Sequence, residues 1–124
     1  MKKLSIAVAG LGRIGWQKHI PEILARGDRF ELIAVVDASA ERLEEAREKY
    51  GVSGYSDLEQ MITAKKPDVV VIATPTHMHC AHACLALKTG CDVILEKPIA
   101  PDYETACAIA DCVKDPGRKL MAFQ

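Results

Sequence analysis

The sequence has no apolar run approaching the roughly 20 residues needed to span a bilayer, so no membrane partner is expected. Positive charge is not in excess either: 16 Lys and Arg stand against 17 Asp and Glu, for a net charge of −1. The basic pairs Lys2-Lys3, Lys65-Lys66 and Arg118-Lys119 are scattered, without the stripe that would track a phosphate backbone, so nucleic acid is excluded as a partner. There is no C-x-x-C pair. The run His77-Met-His79-Cys80-Ala-His82-Ala-Cys84 collects ligand-type residues, but a closed tetrahedral site needs a distant partner pair, and no metal is expected. The five cysteines, an odd number placed in helices and beside a strand, read as reduced thiols and hence as a cytoplasmic chain. Met-Lys-Lys-Leu opens like a signal peptide, yet the apolar stretch behind it runs into a glycine turn and reads as fold.

Repeats and low-complexity segments are also missing; in their place strand and helix signals alternate. The 124 residues suffice for one domain with a real core. Apolar runs predict strands over 4–9, 30–36, 68–73, 92–95 and 119–123. Between them, helices are predicted over 13–26, where Pro21 kinks or divides the run, and from the cap Ser39 to Tyr50, stopped by Gly51. A capping box, Ser56-Asp57-Leu58-Glu59, opens a short helix ended by Lys65-Lys66-Pro67. Further helices are predicted over 78–89, closed by Gly90, and 101–114, with Asp102 and Glu104 in its first turn. Pro116-Gly117 then turns the chain into its last strand. Parallel strands joined by helical crossovers give an α/β doubly wound parallel sheet.

The first strand breaks into Gly10-Leu11-Gly12-Arg13-Ile14-Gly15, a G-x-G-x-x-G turn, and Asp37 ends the second strand at the expected interval. Gly10 permits the tight turn, Gly12 lets backbone approach a pyrophosphate, and Gly15 lets the helix pack close, with its N-terminus offered to the anion. This is the Rossmann dinucleotide-binding arrangement. Asp37 can accept both ribose hydroxyls and repels a 2′-phosphate, which favours NAD over NADP; Arg42, one turn on, softens the discrimination. The alternative is that Asp37 simply caps the next helix, which Ser39 can do equally well. Ligands of such sheets lie beyond the carboxyl ends of the strands, which gathers 9–15, 37–39 (with Ala38), 73–79 and 96–98 into one crevice. There Lys97 is placed either as a solvated lysine or as a proton carrier beside a nicotinamide, aimed by Pro98.

Three segments in order, Gly10 to Gly15, Ala73-Thr-Pro-Thr-His-Met-His79 and Gly90-Cys-Asp-Val-Ile-Leu-Glu96-Lys97-Pro98, resemble the N-terminal domain of the glucose–fructose oxidoreductase / inositol dehydrogenase / rhizopine-catabolism family (Gfo/Idh/MocA). The resemblance implies cofactor contacts at Gly10, Leu11, Gly12, Arg13, Ile14, Asp37, Ala38, Ala73, Thr74, Pro75, His79, Glu96, Lys97 and Pro98, with Lys97 in proton transfer. His79 also suits a helix cap, and His77 and His82 match no functional position of the family. It further implies a sugar, cyclitol or polyol substrate, a homo-oligomer, and a second domain that this chain lacks, so that residues 1–124 are expected to be a fragment with little turnover alone. An NAD-sensing regulator and an NAD-dependent glycoside-cleaving enzyme are alternatives on the same fold.

Overall fold

The computed structural model describes residues 2–113 and 117–123. Six strands, β1 (Leu4–Ala9), β2 (Phe30–Val36), β3 (Ser53–Tyr55), β4 (Val69–Ile72), β5 (Asp92–Glu96) and β6 (Leu120–Phe123), form one parallel sheet in the order β3-β2-β1-β4-β5-β6. The order reverses between β1 and β4, which is where a doubly wound sheet opens its crevice.

Side chains alternate between two cores. Ala7, Ala9, Val70, Ile72, Val93 and Leu95 meet α3 (Leu58–Lys65), α4 (His79–Lys88) and α5 (Tyr103–Cys112) through Met61, Ile62, Ala83, Ala86, Leu87 and Ile109. Ile6, Val8, Val35 and Val71 face the other way, onto Ile20 and Ile23 of α1 (Ile20–Ala25) and Ala46 of α2 (Ala40–Tyr50). The register between β1 and β2 slips after Ile6, so that Ile33 and Ala34, consecutive residues, both face the first core. On the second face, β4, β5 and β6 leave an apolar groove of about 890 Å³ lined by Ile6, Val69, Val71, Ile94 and Met121. Among the described residues no helix is long and apolar enough to cross a membrane.

Several expectations need correction. The strand β3 has no apolar run to announce it; it forms by pairing with β2 from Ala34 to Val36. The run after the glycine turn is divided next to Pro21, between His19 and Ile20. Gly15–His19 is a π-helical turn, in which the Ile20 N–H donates to the Gly15 carbonyl, and Pro21 falls in the first turn of α1, where its missing N–H matters least. The cap of α3 is Asp57 rather than Ser56: its carboxylate accepts from the Gln60 N–H at 3.0 Å. Asp102 likewise caps α5, which starts at Tyr103, two residues later than expected. The expected end of that helix at Lys114, and Pro116, lie outside the described residues.

The thiols are not all free. Cys84 and Cys112 form a disulfide between α4 and α5, with Cα atoms 5.4 Å apart, while Cys80, Cys91 and Cys107 are unpaired. Two helices packed side by side on one face of the sheet bring these positions within bridging distance, a proximity that spacing along the chain does not reveal.

Candidate nucleotide-binding site

Gly10 has φ of 101°, and a Cβ built there would lie 2.5 Å from the Ala73 carbonyl oxygen. Glycine alone accepts both that backbone and that contact. The turn after β1 therefore rests directly on the end of β4. At Gly15 a Cβ would come 1.9 Å from the Gly10 carbonyl oxygen, so turn and helix are one packed unit. Gly12 differs: a Cβ there would meet no protein atom within 4 Å. Its open surface adjoins the helix N-terminus at Arg13, whose first-turn N–H groups have no partners one turn back.

Asp37 closes the other side. Its Oδ2 accepts from the Leu11 N–H at 2.7 Å and its Oδ1 from the Ser39 N–H at 2.8 Å, so the carboxylate pins the glycine turn to the end of β2. The cap of α2 is Ser39 itself, which accepts from the Arg42 N–H, and Gly51 ends that helix left-handed at φ 66°. Arg42 Nη1 lies 3.6 Å from Asp37 Oδ2. The Asp37 side chain is 9 % exposed, enough to leave lone pairs at the rim of an open cleft of about 640 Å³. That cleft is lined by Leu11, Gly12, Arg13, Asp37, Ala38 and Arg42, and by Trp16, which the motif does not flag. Trp16 packs on Tyr50 with centroids 5.4 Å apart, and Lys49 Nζ sits over both rings, bracing the cleft wall against α2.

Apart from Ile14, which lies within the glycine motif, the remaining predicted residues stand outside this cleft, at the ends of β4 and β5. Thr74 is half-buried against the Gly10 turn, Pro75 is exposed, and Lys97 and Pro98 are exposed, joined by a cis peptide bond. Ile14 is 41 % exposed. His79 is 1 % exposed and does not cap its helix. Its Nε2 faces the Thr74 carbonyl at 2.8 Å and its Nδ1 the Ile99 carbonyl at 3.2 Å, so the ring ties the segment after β4 to the segment after β5. A neutral imidazole donates one of those bonds; the protonated ring donates both. Glu96 turns away from Lys97 into the protein, where its Oε2 meets His19 Nε2 at 2.7 Å, both residues over nine-tenths buried. His82 places Nδ1 2.9 Å from Thr74 Oγ1. Burial holds its pKa below the usual histidine value, the nearby His79 adds to this, and Asp57 opposes it. Among the described residues no three or more His, Cys, Asp and Glu converge as metal ligands would.

His19 and Trp16 are the polar and aromatic groups that motif reading missed, and His82, set aside there as background, meets Thr74. The one signal for Trp16 and His19 was position: both follow the glycine turn within one π-helical turn. The residues present fit a dinucleotide, with an open glycine cradle at a helix N-terminus and a carboxylate at the end of β2.

Residues 4–124 match the model of the Gfo/Idh/MocA oxidoreductase family, NAD-binding Rossmann fold. The chain belongs to this family. It is 36% identical over 118 residues to D-glucoside 3-dehydrogenase of Escherichia coli, covering 94% of this chain and 33% of that protein. The structure of the WlbA dehydrogenase from Bordetella pertussis in complex with NADH and UDP-GlcNAcA superposes with a TM-score of 0.93 at 30% identity, over 98% of this chain and 37% of that one. Scyllo-inositol dehydrogenase from Lactobacillus casei, with bound NAD(H) and scyllo-inositol, gives 0.84 at 28% identity, over 98% and 36%. The chain thus spans about a third of the length of these family members.

Proposed function

We propose that the crevice binds NAD(H) and that this chain is the cofactor domain of a longer oxidoreductase acting on a sugar, cyclitol or related polyol. The reading is carried by one juxtaposition: the open cradle at Gly12 and the Asp37 carboxylate flank the glycine turn, which rests on Ala73 and Thr74 at the end of β4. When bound, the nicotinamide supplies a carbon that accepts or gives a hydride.

The chain's own residues do the rest. Arg13 and the first-turn N–H groups hold the pyrophosphate. Asp37 accepts from the ribose hydroxyls with the lone pairs that Leu11 and Ser39 leave free, and repels a 2′-phosphate. Arg42 beside it reduces that repulsion without reversing it. At Lys97 a proton moves between Nζ and the substrate oxygen as the carbon bearing it is oxidised or reduced. Relatives named for a D-glucoside and for scyllo-inositol support the polyol class. Because the chain spans a third of their length, most of the substrate pocket is assigned to a second domain, and the chain alone turns over little.

Calorimetric titration of the chain with NADH and with NADPH tests this. Tighter binding of NADH, with the preference lost in Asp37→Ala, is the expected result. A folded chain that binds neither, or prefers NADPH, overturns it.

A further inference from the structure

Thr74 is held from three sides. Its backbone packs on Gly10, where a Cβ would lie 2.8 Å from the Thr74 nitrogen. Its carbonyl faces His79 Nε2 at 2.8 Å, and its hydroxyl faces His82 Nδ1 at 2.9 Å. The two histidines stand three residues apart on one face of α4. That helix is already anchored to the sheet by Ala83, Ala86 and Leu87, all buried, so His82 is not needed to seat it.

We infer that His82 is a positioning residue for the cofactor: through its bond to Oγ1 it fixes the Thr74 hydroxyl at the crevice, beside the glycine turn. The inference rests on the crevice being a dinucleotide site. A hydroxyl has one proton and two lone pairs. With Nδ1 bare, Thr74 donates to the ring and keeps its lone pairs for a donor on the ligand. With Nδ1 protonated, the ring donates and the hydroxyl proton is left for a ligand acceptor. In both cases the oxygen is held in one place and two of its three bonding capacities are left for the ligand. Without the ring, the hydroxyl rotates among its staggered positions and must be ordered when the ligand binds.

The test is NADH binding by the 124-residue chain, read from quenching of its single tryptophan, Trp16, which lines the cleft. Thermal melts check that each variant folds. His82→Phe should weaken binding roughly five-fold, the worth of one net hydrogen bond. His82→Asn, whose amide reaches the place of Nδ1, should return to within about two-fold of the wild type, whereas His82→Gln, which mimics Nε2, should not. Thr74→Val should weaken binding at least as much as His82→Phe, and the double variant should be no weaker than Thr74→Val alone. If His82→Phe does not fold, the Asn and Gln variants decide alone. NADH binding unchanged in His82→Phe, losses that multiply in the double variant, or Asn and Gln behaving alike overturn the inference while leaving the dinucleotide site standing. A folded wild type that does not bind NADH overturns both.

Discussion

At the amino end of the sheet, Asp68 Oδ2 accepts from the Ser5 N–H at 2.8 Å and the Ser5 hydroxyl at 3.0 Å, and Asp92 Oδ1 accepts from the Lys119 N–H at 2.9 Å. At the carboxyl end, Asp37 accepts from two backbone N–H groups over nearly the same distances. All three carboxylates stitch one segment of backbone to another. The ends differ in what adjoins the carboxylate. Asp68 and Asp92 tie strand to strand within the sheet, β1 to β4 and β5 to β6. Asp37 ties a strand end to a glycine turn with open surface at Gly12, on the rim of the cleft. A hydrogen-bonded carboxylate therefore marks structure at either end. Gly90 and Gly117, near Asp92 and Lys119, are as open to a Cβ as Gly12, so what sets Asp37 apart is the strand-to-helix turn it holds and the cleft beside it.

That contrast can be broken most severely at Gly15. Gly15→Ala drives a methyl group to 1.9 Å from a backbone oxygen that no side-chain rotation can move. Chemical denaturation should show a loss of about 3 kcal/mol or more, or no folded chain. A loss below about 1 kcal/mol would mean that the turn and the helix are not one packed unit.

Gly12→Ala is the complementary case. Its new methyl group meets no protein atom, so stability should stay within about 0.5 kcal/mol. NADH affinity should fall roughly ten-fold or more, because the methyl group occupies the surface the pyrophosphate approaches. Equal NADH affinity in the variant would remove Gly12 from the site.

The smallest effect is expected at the amino end. Asp68→Asn should cost roughly 1 kcal/mol at neutral pH and leave NADH binding untouched. The Ser5 N–H and hydroxyl hold the Asp68 carboxyl below the usual aspartate range. A carboxyl whose folded pKa is depressed stabilises fully above its unfolded value of about 3.9 and loses that stabilisation as the pH falls through the folded value. The stability gap between Asp68→Asn and wild type should therefore close on acidification below about pH 4. A gap independent of pH would show that the charge is not what stabilises.

Much of this architecture was legible because it is written in local chemistry. Leu4–Ala9 and Phe30–Val36 are strands as their apolar runs predict, and Ser39 and Gly51 bound α2 as cap and stop. The glycine turn and Asp37 lie together where their spacing places them. What escaped is long-range. The strand Ser53–Tyr55 forms only because β2 offers an edge, and the slip at Ile33 shows only against β1. The His19–Glu96 bond joins residues 77 apart, and the Cys84–Cys112 disulfide residues 28 apart, through packing that no spacing rule contains. The choice of Asp57 over Ser56 as cap turned on one residue of chain direction. Likewise His82 carries no motif; its bearing on Thr74 follows from where α4 sits on the sheet.

The central claim is that the dinucleotide binds at the carboxyl end of the sheet, and backbone amide hydrogen exchange with and without NADH tests it most directly. Protection should rise at 11–16, 38–42 and 74–76, while Ser5, Asp68 and Lys119 at the amino end exchange as before. Protection concentrated at the amino end, or along the apolar groove over Val69, Val71 and Ile94, would contradict the account.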